Sequence, residues 1–154
     1  MMTASVEPLL DRLDELKPML PLHWEELGIY KDKMPLDPDW ESFRAIDAKG
    51  ALLCIGLRAD GRLVGSFVGS VGGGLHYRST LTCKMDLCFV LPEFRGGGGT
   101  ILFEATKAEL KRRGVKLWWV GSKSHHPIEG FYEFMGFELQ ETYHTMWLGN
   151  DDEP

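Results

Sequence analysis

Nothing in these 154 residues is long and apolar enough to cross a bilayer, since no stretch approaches the ~20 apolar residues of a spanning helix. The opening residues, MMTASVEPLLDRLDEL, lack the basic-then-apolar order of a secretory signal, so the expected location is cytoplasmic. Cysteine is scarce and odd in number. Cys54, Cys83 and Cys88 lie inside apolar, strand-like runs and read as buried free thiols ahead of disulfides or metal ligands. The five histidines are scattered apart from the His125–His126 pair, and no cysteine–histidine cluster has zinc spacing, so no metal is expected. Positive charge is in deficit: 17 Lys and Arg against 23 Asp and Glu leave a formal net charge of −6. That balance argues against nucleic acid as the main partner and favours a cationic one.

What remains is an ordinary globular composition, 44% hydrophobic and 26% charged, at a length that suits one domain with a proper core. No internal repeat or linker divides it. The domain is read as residues 1–149, with 150–154 a short acidic tail.

Leu9, Leu10, Leu13, Leu16, Leu20, Trp24 and Leu27 recur at mostly helical spacings, interrupted by Pro18 and Pro21. They predict a helix, a proline break and a second short helix around Leu22–Leu27. Asp37 or Asp39 is placed to cap a helix over Trp40–Lys49, which Gly50 would end. The runs ALLCIGLRA and RLVGSFVGSVG flank Asp60-Gly61, a strong hairpin signal. Thr80–Leu91 reads as a third strand stopped by Pro92. A helix over Thr100–Arg113 would turn Ile101, Leu102, Ala105, Ala108 and Leu110 to one face, with Gly114 as its terminal cap. Val115–Val120 is a strand, Pro127–Met135 a helix, and Phe137–Leu148 one or two final strands. A meander followed by a strand–helix–strand unit implies a mixed α/β (α+β) sheet with helices on both faces.

Four consecutive glycines, Gly96 to Gly99, separate the third strand from the helix that follows. Such a run is a local stability cost, so bare backbone is needed there. A glycine loop at a helix N-terminus suits an anion, because amide N–H groups and the helix dipole both point at it. No Lys-Ser or Lys-Thr follows, which excludes a P-loop, and the preceding meander fits a dinucleotide-binding βαβ unit poorly.

With Phe131–Phe137 (FYEFMGF) downstream, the stretch VLPEFRGGGGT resembles the acyl-CoA-binding signature of the GNAT superfamily of N-acetyltransferases. Arg95, Gly96, Gly97, Gly98, Gly99 and Thr100 fill the loop's six places, Thr100 departing from the small residue usual at the last. FYEFMGF resembles the Tyr-Glu-x-x-Gly-Phe of the family's last helix. HYRSTLTCKMDLCFVLPEFRG is also similar to small stand-alone members carried by bacteriophages. The resemblance implies a GNAT fold, a mostly antiparallel mixed sheet splayed in the middle to hold acetyl-CoA. Backbone of Cys88, Phe89 and Val90 would bind the pantetheine arm, and the amides of Arg95–Thr100 the pyrophosphate.

A lysine-like amine has a pKa near ~10.4, so only about one molecule in a few thousand is neutral at pH 7 and a base must accept its proton. By resemblance Asp86 is the candidate base and Tyr132 the candidate acid for the departing thiolate. Asp86 also reads as a strand residue salt-bridged to Lys84, and Tyr132 as a core aromatic beside Phe131 and Phe134. His125, in the place of a cofactor-steering asparagine, is the alternative or assisting base. The acceptor pocket would use Trp24, Glu25, Glu26, Tyr30, Asp32, His76 and Tyr77, whose carboxylates and aromatic rings suit a cationic amine, small molecule or protein lysine. None of the cysteines sits in a nucleophile setting, so direct attack through a ternary complex is expected. The alternative is a non-catalytic acyl-CoA sensor or interaction module. Tyr143, Met146 and Trp147 suit either a homodimer contact or a core.

Overall fold

Asp60 and Gly61 reverse the chain with φ of 48° and 87°, the double left-handed turn that an Asp-Gly pair accommodates best. They join β2 (Leu52–Ala59) to β3 (Arg62–Gly73) in the computed structural model, which describes residues 1–150. Residues 151–154 of the acidic tail lie outside the described residues. The third strand, β4 (Leu81–Val90), continues the antiparallel meander. β1 (Met2–Val6) pairs antiparallel with β2, from Met2↔Ala59 to Val6↔Ile55. β5 (Leu117–Trp119) pairs parallel with β4, giving the sheet order β1-β2-β3-β4-β5. The mixed, mostly antiparallel sheet expected from the sequence is therefore present. β1 was not anticipated: its five residues carry no periodic signal, and pairing with β2 creates it.

Helices cover both faces. On one side lie a 3-10 turn (Leu9–Arg12), α1 (Leu13–Leu16), a 3-10 turn through Pro18, α2 (Leu20–Leu27) and α3 (Trp40–Ala48). Pro18 and Pro21 each sit in the first turn of their segment, where a missing N–H costs nothing. Asp39 caps α3 by accepting from the Ser42 amide at 2.9 Å, and Gly50 leaves it at φ +66°. Leu9, Leu16 and Leu20 pack with Leu52, Cys54 and Val68. On the other side α4 (Arg95–Arg112) packs Leu102 and Leu110 with Leu53, Ile55, Leu57 and Phe67. This in–out alternation along β2 is the two-residue period of a strand buried on both faces.

Two expectations need correction. Within α4, Ala108 is exposed, and the buried stripe runs through Leu102, Phe103, Thr106, Glu109 and Leu110. The two polar members are compensated locally. Thr106 donates to the Leu102 carbonyl at 2.8 Å, and Glu109 accepts from Arg112 and Arg113 at 2.7 Å each. Secondly, Phe137–Leu148 forms no strand among the described residues. Leu139, Tyr143, Met146 and Leu148 are exposed, and the segment is held by Thr145 and Trp147 against Tyr30. An extended segment becomes a strand only where its backbone groups find a ladder, and β5 is just three residues long.

The Arg112 and Arg113 guanidinium groups hold the Glu109 carboxyl well down, at about 2 against an ordinary 4.5. A depressed acid stabilises the fold above its unfolded pKa and loses that contribution as pH falls through the folded value. Glu109→Gln is expected to lower the thermal midpoint at pH 7. The difference from the parent protein should shrink steadily between about pH 4.5 and pH 2 in denaturation scans.

Candidate active site

β4 and β5 stay paired only over Thr82↔Leu117, Cys83↔Trp118 and Lys84↔Trp119. Beyond that point the strands part, and among the described residues no strand lies on the β5 side of Met85–Val90. A bulge coincides with the parting. Val68 faces Leu87 and Gly69 faces Met85, so Asp86 is the extra residue without a partner. Gly69 is required opposite it, since a Cβ there would meet the Cys83 sulfur at 2.7 Å and the Lys84 carbonyl at 3.2 Å.

Tyr132 stands at the apex of the opening. It is carried by α5 (Glu129–Phe134), buried among Phe103, Phe131 and Phe137, and its hydroxyl donates to the Gly121 carbonyl at 2.8 Å. The same oxygen lies 4.0 Å from the Met85 sulfur, so it touches both diverging banks. Burial, reinforced by Cys88 and Glu129, raises the Tyr132 pKa, and the hydroxyl keeps its proton at neutral pH. The ring therefore belongs to the core, as the core-aromatic reading of this tyrosine expects, and the hydroxyl sits between Gly121 and Met85.

Asp86 makes no ion pair or hydrogen bond among the described residues, so the Lys84 bridge is absent. The residue is exposed at the parting of the strands, yet protein around its carboxyl raises the pKa by desolvation. A carboxylate moved toward neutrality is a better proton acceptor than an ordinary one. The thiol of Cys88 is enclosed although the residue keeps some surface, and burial pushes it up to about 12. Cys54 and Cys83 are buried and pushed up to about 11. All three are free, and none is a ready nucleophile.

The four glycines divide by role. A Cβ on Gly98 would meet Leu57 at 3.0 Å and Val90 at 3.3 Å, and one on Gly99 would meet the Phe131 ring at 3.4 Å. Those two let α4 pack closely. Gly96 and Gly97 face open space, and Gly97 turns the chain at φ +100°. Thr100, half-buried, lies in the first turn of the regular helix, which resumes at Gly98. Bare backbone opening onto solvent at the start of an 18-residue helix fits the diphosphate of acyl-CoA, and the unpaired edge of β4 fits its amide-bearing arm. Part of the expected edge is taken: the Val90 carbonyl accepts from Arg95 Nε at 2.9 Å, while the Arg95 guanidinium lies over the Phe89 ring.

Of the histidine pair, His125 is exposed and engages no side chain among the described residues. His126 Nε2 lies 3.0 Å from Glu26 Oε1, and Glu26 Oε2 accepts from Arg95 at 2.8 Å. His23, half-buried with its ring edge-on to Phe89, is shifted down by burial and by Lys123. Reading local motifs could not find this group, because Arg95 and Glu26 are 69 positions apart. The expected acceptor residues are scattered. Lys31 sits over the Trp24 ring and pairs with Glu25 at 2.9 Å, while Tyr30 stacks on Trp147. His76 and Tyr77 are exposed in the β3–β4 loop, and no hydrogen bond or ring contact joins them to the others among the described residues.

A strand pair splayed beside a glycine-led helix, with a tyrosine at the apex, defines an acyl-CoA-dependent transferase. Residues 16–137 match the model of the Acetyltransferase (GNAT) family, and the chain belongs to that family, whose acetyl donor is acetyl-CoA. Solved structures share the fold. A ribosomal-protein-alanine N-acetyltransferase from Brucella melitensis biovar Abortus 2308 is 17% identical with a TM-score of 0.73, over 97% of this chain and 99% of that one. A predicted acetyltransferase with acetyl-CoA from Clostridium acetobutylicum is 15% identical at 0.71, over 96% and 97%. Glucosamine-6-phosphate N-acetyltransferase from Arabidopsis thaliana is 13% identical at 0.68, over 97% and 99%. These three come from bacteria and a plant, and lend the phage subgroup no support. Among curated protein sequences no significant match was found.

Gly96→Ala should fold normally, since its Cβ meets nothing within 4 Å, yet weaken acetyl-CoA about tenfold or more by intruding on the approach to the loop. Gly97→Ala adds a left-handed strain of about 1–2 kcal/mol and should also lower the thermal midpoint. Calorimetric titration with acetyl-CoA and a thermal melt separate the two effects.

Proposed function

We propose that the protein moves an acetyl group from acetyl-CoA to a primary amine by direct attack within a ternary complex. The observation that carries this reading is the unpaired, desolvated Asp86 carboxyl at the bulge where β4 and β5 part, with the protonated Tyr132 hydroxyl beside the neighbouring Met85. The amine nitrogen bonds to the thioester carbonyl carbon and the carbon–sulfur bond breaks. Asp86, short for a direct reach, takes the ammonium proton through water. Tyr132 gives its proton to the departing thiolate and is reprotonated, through solvent, by the second proton that the nitrogen sheds as the amide forms. A backbone N–H near Phe89 steadies the oxyanion. The raised thiol pKa values of Cys54, Cys83 and Cys88 support direct attack over an acetyl-cysteine route. Among the described residues His125 has no side-chain partner to orient it as a base.

For the acceptor, Lys31 held between Trp24 and Glu25 is support of a physical kind: this carboxylate–aromatic pair attracts an alkylammonium. Exposed Leu139, Tyr143, Met146 and Leu148, in the segment after α5, support a homodimer through that end of the chain.

Asp86→Asn should lower kcat/KM by about 10²–10⁴-fold. The base works deprotonated, so in the parent enzyme the rate should climb as pH rises through a carboxyl pKa raised by desolvation, and the variant should lack that limb. Tyr132→Phe, which keeps the ring, should lower kcat at unchanged thermal midpoint. Initial-rate measurements over an amine panel check all three. Parallel double-reciprocal lines with no ternary complex would overturn direct attack.

A further inference from the structure

Three elements that border the cleft meet at one carboxylate. Arg95 follows β4 and begins the glycine loop, His126 lies in the segment after β5, and Glu26 belongs to α2. Glu26 Oε2 accepts from Arg95 at 2.8 Å and its Oε1 lies 3.0 Å from His126 Nε2. One anion therefore links the two banks downstream of the point where the strands separate. Arg95 and His126 converge on it from opposite sides, with Lys123 on the same segment as His126 and His23 one turn before Glu26 on α2. Arg95 is itself anchored, because its Nε donates to the Val90 carbonyl and its guanidinium lies over Phe89.

We propose that Arg95 and His126 form a two-sided side-chain clamp for the diphosphate of acyl-CoA, and that Glu26 occupies it as a stand-in anion until the cofactor arrives. The inference rests on the reading of the cleft as the acetyl-CoA site. Both anions seek the same donors, and Arg95 directly precedes Gly96 and Gly97, where an added Cβ would meet nothing within 4 Å. A carboxylate retained there would repel an incoming diphosphate, so entry of the cofactor turns Arg95 and His126 from Glu26 to phosphate oxygens. Glu26 thus sets the affinity for the charged part of the cofactor and leaves the pantetheine arm alone.

The test compares acetyl-CoA with S-acetyl-pantetheine, which has the thioester and arm but no diphosphate, by calorimetric titration of the full chain. Glu26→Gln, close to isosteric, should tighten acetyl-CoA about three- to tenfold, and His126→Ala should weaken it about fivefold to tenfold. Neither should move the affinity for S-acetyl-pantetheine by more than about twofold. Thermal melts confirm that each variant folds, and His126→Gln, which keeps a donor, should recover part of the loss. Equal shifts for both ligands would overturn the clamp and make the group a structural tie. Unchanged acetyl-CoA affinity in both variants would also overturn it. Failure of the parent protein to bind acetyl-CoA is a separate outcome that removes the cleft reading and the clamp together.

Discussion

The structure turns on the extra residue at Asp86. Inserting one unpartnered position into β4 bends the strand, and from that point β5 no longer follows it. A sheet that stayed paired would have its backbone groups satisfied and nothing to offer a ligand. Parting the strands leaves a row of donors and acceptors facing a gap, which another extended chain can satisfy. Gly69 permits the bulge, and Tyr132 closes the apex with its hydroxyl on Gly121 beside Met85.

The rest of the molecule holds that opening in place. Phe103 contacts Phe67, Trp118, Phe131, Tyr132 and Phe137, so one aromatic cluster ties α4, β3, β5 and α5 around the apex. Gly98 and Gly99 bring the first turn of α4 against Leu57, Val90 and Phe131, which sets Gly96 and Gly97 at the cleft. A continuous glycine run is thus two packing residues and two that face open space. On the far face, Glu7 is buried against Gly56, where a Cβ would come within 2.7 Å, and binds Arg58 at 2.7 Å and 2.9 Å. This ion pair fastens the segment after β1 to β2, well away from the chemistry.

Features encoded within a few residues were legible in the sequence. The Asp60-Gly61 hairpin, the Asp39 cap, the glycine loop and the tyrosine of FYEFMGF each carry their own local physics, and the structure has them all. Features that depend on distant partners were not. β1 exists because β2 offers it a ladder, while Phe137–Leu148, with a better apolar pattern, has none among the described residues and forms no regular element. The burial of Phe103 in place of Ala108 follows from where the sheet meets α4. The position of Asp86 at a bulge needed the register between β3 and β4, and Glu26 gained its role from Arg95 and His126, both remote in sequence. Local pattern located the glycine loop, and the resemblance singled out Tyr132; only packing located the anion between the two banks.

The central claim is that the unpaired edge of β4 and the glycine loop together hold acetyl-CoA. Backbone hydrogen exchange with and without acetyl-CoA tests it most directly. Slowed exchange at Met85–Val90 and at residues 95–100, with β2 unchanged, is the predicted result. Unaltered exchange at both segments, or protection confined to the other face around Leu9 and Leu52, would contradict it.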